Sequence, residues 1–507
     1  MLDTTNANNY SYQTKDLEIH VLGGIKFNNL ERMRVTLSIK KPKSHNVMRH
    51  SIDLYNDTMM EKFVRTIAER IEIGTSIARQ CLQDLTSELE QYRIDQINKE
   101  NQQEEPIPEL SGKEQKAAIK FLKSKNLLQK TNELIGQSGV IGEEVNRLLM
   151  YLIFTSRKTA NPLHCISLGS SGVGKTHLQS KVAELIPDED KIEITVLSAN
   201  AFYYFNRTEL KNKLILIEDL DGAESVLYPL RELQSKKRIT KTVVHKDRKG
   251  TTKTIHLTVE GPVSVAGCTT QESVYEDNSN RSFLLYIDES SEQDQRIMQY
   301  QRAESAGQIN KDDQFISARF LRDVQRMLEP VKVINRYAMG LNLPQSVFKP
   351  RRTNSHYLQF IEAVTFYNQY QREKKYDKQT GEEYIETTIE DIQQANELIK
   401  EVLLRKSDTI TGATRNYLEK LKAYLHKNTQ TTFTNAEIRR NLRIKESTLR
   451  NYHKQLLEED YIRRNKKAKT KSYSFEITNV NEYKVLKSQI DKSLRDCIIQ
   501  IDSQTRN

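Results

Sequence analysis

The sequence predicts a chain built around an α/β core, a parallel sheet with helices on both faces. A small α+β domain precedes the core and a basic, mostly helical region follows it. Three observations carry this reading. Apolar strand-like runs alternate with amphipathic helical stretches from about residue 113 to about residue 372. A polar, acidic stretch, NKENQQEEPIPELSG, is broken by Pro106 and Pro108 and reads as a linker. The last hundred or so residues (from about residue 410 onward) concentrate lysine and arginine. The length of 507 residues fits about three domains at roughly 150 residues each. The expected boundaries are residues 1–97, a linker over 98–112, the core with a helical lid over 113–372, a connecting helical segment over 373–409, and the C-terminal region over 410–507.

In the first region LEIHVLG, MRVTLSIKK and MRHSIDLY alternate like strands. MMEKFVRTIAERI and GTSIARQCLQDLTSELEQYRI then repeat apolar residues at helical steps. Lys40, Lys41, Lys43 and Arg49 surround the turn PKSHN, as a nucleic-acid surface or as a solvated edge. In the second region helical stretches through KAAIKFLKSKNLLQKTNELI and EEVNRLLMYLIFTSR lead to the strand LHCISL. Further strands KIEITVLSA, KLILIED and VSVAGC follow.

The chain is 37% hydrophobic and 29% charged, with a formal net charge of +10. That excess of cations favours an anionic partner, nucleic acid or an acidic membrane surface. Cys81, Cys165, Cys268 and Cys497 are far apart, which argues against a structural zinc site and suits a reducing compartment. No apolar run reaches the length of a membrane span, and the polar N-terminus lacks a signal-peptide core. The expectation is a soluble cytoplasmic protein.

The chemistry begins at LGSSGVGKTHL, which contains G-x-x-x-x-G-K-T between an apolar strand and an amphipathic helix. Glycines let backbone N–H groups turn inward around phosphates, and the following helix points its positive end at them. Gly169, Ser170, Ser171, Gly172, Val173, Gly174, Lys175, Thr176 and His177 form this loop and helix start. Lys175 would reach the β- and γ-phosphates of ATP, and Thr176 would hold Mg²⁺. KLILIEDLDG supplies the acids. Glu218 and Asp219 are both candidates to hold the metal; by position alone Glu218 takes the metal side and Asp219 the water side, the reverse order staying open, with Asp221 close enough to contribute. Thr269, at the end of the strand VSVAGCTT, sits where a γ-phosphate sensor is expected. Arg281, before the apolar run SFLLYID, is an arginine that would act on a transferring phosphoryl group. Arg351 and Arg352, near a helix start, are candidates to read nucleotide state from the lid.

This order of parts resembles an AAA+ ATPase. Between Asp221 and Thr269, VLYPLRELQSKKRITKTV, a helix then a strand, is followed by a turn and a second strand, TKTIHLTVEGPVSVAG; together they resemble the helix and hairpin inserted in minichromosome-maintenance-type helicases. NRSFLLY resembles that family's finger-arginine segment. VIGEEVNRLLMYLIFTSR is similar to part of the primase-associated helicases of bacterial mobile elements. The resemblance implies a ring, hexameric as expected, in which Arg281 completes a neighbour's site. It also implies a hairpin lining a central pore, and suggests a primase as partner. Independently of the resemblance, the hairpin tip HKDRKGTTK carries Lys246, Arg248, Lys249 and Lys253 against Asp247, suited to contact with DNA phosphates.

The C-terminal segment from NAEIRRNL to SYSFEI reads as a winged helix-turn-helix. Ala436, Ile438 and Leu442 form the inner side of its first helix, and Leu449, Tyr452 and Leu456 that of its second. Ser447, Thr448, Arg450, Asn451 and Lys454 face outward toward a DNA groove. Arg463, Arg464, Lys466, Lys467, Lys469 and Lys471 make a basic wing, with Tyr473 and Phe475 packing it down. The leading expectation is an ATP hydrolase that translocates on or unwinds DNA in replication of a bacterial chromosome or mobile element. The alternative is an origin-binding initiator or regulator that uses ATP as an assembly switch. A remodeller of protein partners fits the cationic hairpin less well, and a small-molecule kinase does not fit the long inserts.

Overall fold

The computed structural model describes residues 2–27, 32–102, 109–195, 201–222, 227–246, 252–270, 281–344, 350–465 and 473–506. The chain divides into two compact units, Met1–Glu109 and Leu110–Asn507.

The first unit is an antiparallel meander of β1 (Leu2–Asp3), β2 (Asn9–Gln13), β3 (Glu18–Leu22), β4 (Arg34–Lys40) and β5 (Met48–Asp53), paired in chain order. Helices α1 (Asp57–Ile71) and α2 (Thr75–Gln102) follow. Burial alternates along β3, so Ile19 and Val21 meet Leu37 and Ile39 of β4 and Phe63, Val64 and Ile67 of α1 in one core. β2 escaped the sequence reading because its alternation is aromatic within a polar run: Tyr10 and Tyr12 are buried. Asn56 caps α1 by accepting from the Met59 amide at 3.0 Å. Helix α2 runs to Gln102, so the helix continues into the stretch read as the start of a linker at residue 98. The next helix starts at Gly112, with Ser111 as its N-cap in a capping box with Glu114.

The second unit contains the α/β core. Its elements are α3 (Gly112–Leu122), α4 (Leu127–Gln137), α5 (Glu144–Thr155), β6 (Cys165–Leu168), α6 (Lys175–Ala183), β7 (Lys191–Ile194), β8 (Lys213–Ile217), α7 (Leu227–Lys236), β9 (Arg238–Lys246), β10 (Thr252–Glu260), β11 (Val263–Thr269) and β12 (Phe283–Tyr286). The sheet is wholly parallel, in the order β12-β6-β11-β8-β7. β11 is therefore inserted between the strand before the glycine loop and the strand before Glu218. Both faces are apolar, as a buried parallel sheet requires. Leu214, Leu216 and Ala266 pack toward α5 and α6, while Ile215, Ile217 and Val265 pack toward Phe202, Leu230 and Leu233. The β9–β10 hairpin is antiparallel, with Ile239 opposite Val259 at its buried base.

The chain continues through α8 (Ser291–Ser305), α9 (Lys311–Met327), β13 (Lys332–Ile334), α10 (Pro350–Tyr367), β14 (Lys375–Tyr376), β15 (Glu383–Glu386) and α11 (Ile389–Lys406). The connecting segment expected to be helical thus includes two short strands, and β15 pairs with β13. The last elements are α12 (Gly412–Lys427), β16 (Thr432–Thr434), α13 (Asn435–Asn441), α14 (Glu446–Glu458), β17 (Ile462–Asn465), β18 (Ser474–Ile477) and α15 (Glu482–Arg506). Tyr417, Leu421, Phe433, Ile438, Leu449, Leu456, Ile462 and Phe475 form a separate small core for α12 to β18. Helix α15 returns instead to the main core, where Ile490, Leu494, Cys497 and Ile501 are buried.

Three details of this C-terminal module differ from the sequence reading. Ala436 is exposed, because α13 has only seven residues and turns a single side chain, Ile438, fully inward. Tyr452 and Leu442 are only half-buried. Tyr473 is 70% exposed under the Arg464 guanidinium, 4.9 Å from its ring centre, so only Phe475 packs down.

Among the described residues no helix is long and apolar enough to cross a membrane.

Candidate nucleotide-binding site

The loop sits where β6 hands over to α6. Gly172 and Gly174 take positive φ values of 84° and 95°, which other residues adopt only with strain. Gly174 is the N-cap of α6, so the first free amides of the helix face the loop. Lys175 is buried, and its Nζ donates to Gly169 O at 2.9 Å and Ser170 O at 2.7 Å, closing the loop onto its own start. Thr176 and His177 are exposed at the helix start.

The other groups converge on the same end of the sheet. Gln179 of α6 donates to Ile217 O at 3.1 Å and accepts from Cys268 Sγ at 3.4 Å, tying the loop helix to β8 and β11 together. Burial pushes the Cys268 thiol up to about 11; Thr176 and Lys175 act against that shift, and Asp219 adds to it. Thr176, Lys175 and Asp219 therefore lie close enough to the Cys268 thiol to act on its charge. Glu218 and Asp219 are exposed beyond β8, and Asp219 Oδ1 accepts from the Asp221 amide at 2.9 Å. A hydroxyl with two carboxylates is a hard-oxygen donor set that suits Mg²⁺ carried by a nucleotide.

Thr269 is hydrogen-bonded to Asp221. Its Oγ1 donates to Asp221 Oδ1 at 2.6 Å, and Thr270 Oγ1 donates to Asp221 Oδ2 at 3.1 Å. Thr270, which the sequence did not single out, lines a cavity with Gly169 and Ser170. Glu289 was also missed. Its carboxylate accepts from Ser170 N at 2.8 Å and Ser170 Oγ at 3.2 Å, across 119 residues of sequence.

The arginines lie at the opposite end of the strands. Arg281, just before β12, donates from Nε to Ser235 Oγ at 3.0 Å. It shares a cavity of about 300 Å³ with Arg352, Lys237 and His164, and His164 immediately precedes β6. Arg352 therefore lies by the start of β6 rather than beside the loop that follows its end. Arg351 is exposed at the same helix start.

Three buried imidazoles in this unit are kept neutral, mainly by burial: His164 down to about 3, His356 to about 2 and His453 to about 4. Each accepts a hydrogen bond or sits ready to: His164 Nδ1 from Val265 N at 3.2 Å, His356 Nδ1 from Lys406 Nζ at 3.1 Å, and His453 Nε2 from the Tyr417 hydroxyl at 2.5 Å. The unfolded chain takes up these protons first, at an ordinary histidine pKa near 6.5. Stability is therefore retained above that pH and is lost as pH falls from about 6.5 toward the folded values. Each group contributes about 1.4 kcal/mol per pH unit in that window. The melting temperature is expected to fall steeply between pH 7 and pH 5, and a flat profile would show that these rings are not held neutral.

Of the residues expected on DNA, Lys246 and Lys253 end the described parts of the hairpin strands, where Lys253 pairs with His245 and Lys246 with Thr252. Arg248 and Lys249 at the tip, and Lys466, Lys467, Lys469 and Lys471 in the wing, lie outside the described residues. Arg450, Asn451 and Lys454 are exposed on α14. Arg450 pairs with Glu446, and Lys454 lies 3.9 Å from Glu458. Thr448 lines the cavity over Ser170. Arg463 pairs with Glu476, and Arg464 stands over Tyr473.

A family model, the MTBMA_p00010 P-loop domain, matches residues 109–330. The chain carries an α/β P-loop core. No curated protein matches the chain. Among solved structures it is similar to a full-length MCM homolog from Methanopyrus kandleri, with 13% identity and a TM-score of 0.38 over 80% of this chain and 75% of that one. It is also similar to Drosophila ORC bound to DNA, with 12% identity and a TM-score of 0.23 over 78% of this chain and 95% of that one. The P-loop match spans all five strands of the parallel sheet and the hairpin between β8 and β11.

Proposed function

We propose that this protein is an AAA+-type ATP hydrolase that assembles as a ring, six-membered by expectation, and translocates on or unwinds DNA during replication. The single observation that supports this most is the separation of catalytic parts along one sheet. The loop, Lys175, Thr176, Glu218 and Asp219 gather at the strand ends, whereas Arg281, Arg352 and Lys237 gather at the strand starts. A cationic cluster there serves an anion held by another copy. Head-to-tail repetition of such a contact closes a ring.

In this reading the P-loop amides and Lys175 would hold the phosphates, and Thr176 with one of Glu218 and Asp219 would hold Mg²⁺. The metal ion neutralises charge on the phosphates when bound. The free carboxylate orients water, and Arg281 stabilises charge on the phosphoryl group from the neighbouring copy. Thr269 acts through Asp221, which it orders. The hairpin, with Lys246, Arg248, Lys249 and Lys253, follows DNA phosphates. The C-terminal module acts as a winged helix that presents Arg450, Asn451, Lys454, Arg463 and Arg464 to DNA.

A second reading, an ATP-switched initiator, is favoured by one feature: α14 lines the cavity beside the P-loop through Thr448 and Tyr452. A helix that binds duplex DNA would then feel nucleotide directly. The two readings are separated by measuring ATP hydrolysis by the full chain with and without single-stranded DNA, together with displacement of a labelled strand. The motor reading expects several-fold stimulation and displacement. Full-rate hydrolysis by an isolated copy, indifferent to DNA, would overturn it.

A further inference from the structure

We propose that a nucleotide at the P-loop is also held from within the same chain by the C-terminal module, with Lys420 of α12 binding the terminal phosphate and Asn416 beside it. This rests on the reading of Gly169–Thr176 as a nucleotide site.

The first observation is the cavity itself. A space of about 390 Å³ opens between the start of the P-loop and the C-terminal module. Gly169, Ser170, Thr270 and Glu289 form one wall; Asn416 and Lys420 lie on the other. Thr270 follows β11, and β11 lies between β6 and β8. The cavity therefore opens beside the start of the loop and the end of β11, which in the nucleotide-site reading is the terminal-phosphate side.

The second observation is that the module is fixed in place. Gly412, the first residue of α12, lies so close to Tyr286 of β12 that an added Cβ would overlap the ring. Arg405 stacks 4.7 Å from the centre of the same ring and donates to Asn416 Oδ1 at 3.1 Å. Arg415, fully buried, makes two 2.7 Å bonds to Asp408 and one of 2.5 Å to Glu482. A buried, multiply bonded guanidinium of this kind fixes geometry, because breaking it would strand a charge.

The third observation is the charge balance. Among the described residues Glu289 and Lys420 are the only charged side chains that line this cavity. Glu289 is held at the loop start by Ser170, and it would repel a polyphosphate entering beside it. Lys420 is exposed and forms no ion pair or hydrogen bond among the described residues. It also lines the adjoining cavity on the other side of Glu289. Its flexible stem and compact ammonium suit a phosphate that arrives between these groups.

The test measures binding of fluorescent ADP and of a slowly hydrolysed fluorescent ATP analogue to the full chain. Lys420→Ala is expected to weaken the triphosphate about tenfold and to leave the diphosphate within about twofold, with Lys420→Arg restoring most of the loss. Alanine on an exposed helical position leaves the fold intact, which a melting curve verifies. Unchanged triphosphate affinity, or equal losses for both nucleotides, would overturn the role of Lys420. If wild type binds neither nucleotide, the nucleotide-site reading itself fails. If Lys175→Ala loses binding while Lys420→Ala does not, only the inference fails.

Discussion

Replacing Lys175 by alanine is expected to lower ATP hydrolysis by about 10³-fold, the scale of removing a preorganised charge donor from a transition state. The expectation follows from what surrounds the ammonium. Lys175 is only 9% exposed, yet its Nζ is held by two carbonyls, Gly169 O and Ser170 O, rather than by a carboxylate. Carbonyl dipoles orient the charge without cancelling it, so the cation at the start of α6 remains available to an anion. The helix amides beyond Gly174 add partial positive charge on the same side. Lys175→Met keeps the apolar stem in its buried slot and removes only the charge. Both variants are therefore expected to melt close to wild type while losing hydrolysis together. Phosphate release measured alongside thermal melting checks this, and a Met variant that retains half its activity would remove Lys175 from the site.

Much of this arrangement is legible in the sequence. The P-loop could be read because strand, glycine loop and helix are contiguous, so a local pattern reports a local geometry. The acids after KLILI and the hairpin between Asp221 and Thr269 were legible for the same reason: apolar runs and turns mark their own ends. The missed residues share a different property. Glu289 reaches Ser170 across 119 residues, and Lys420 approaches the loop through the docking of α12 on Tyr286. No spacing rule encodes such contacts, since they depend on how β12 and α12 pack. Thr269 shows a subtler limit. Its place at the strand end was foreseen, but alternation along β11 turns Cys268 toward Gln179 and Thr269 toward Asp221. Helix α15 had a readable apolar stripe, but nothing in the stripe says that its partner is α11 and the main core rather than the neighbouring three-stranded sheet.

Mixing two inactive variants is expected to restore hydrolysis. Arg281→Ala alone should lose about 10³-fold or more in turnover, as when an arginine finger is removed. Lys175→Ala alone should be comparably inactive. In the same chain the two residues occupy opposite ends of parallel strands: Arg281 lies before β12 and Lys175 lies after β6, and β12 and β6 are paired in register from Phe283↔Cys165 to Tyr286↔Leu168. No rotamer of Arg281 spans that distance to its own loop. In the proposed ring a functional site combines the loop of one copy with the arginine of the next. When the variants are mixed in equal amounts, on the order of a quarter of head-to-tail interfaces pair an intact loop with an intact arginine. Hydrolysis should recover toward that fraction, rise with total protein concentration, and vanish on dilution. Arg352, in the same cavity as Arg281, should complement Lys175→Ala in the same way. Mixtures that stay inactive at concentrations where wild type is fully active would mean that Arg281 does its work, if any, inside its own subunit. The division of the site between the two ends of the sheet would then have no catalytic meaning.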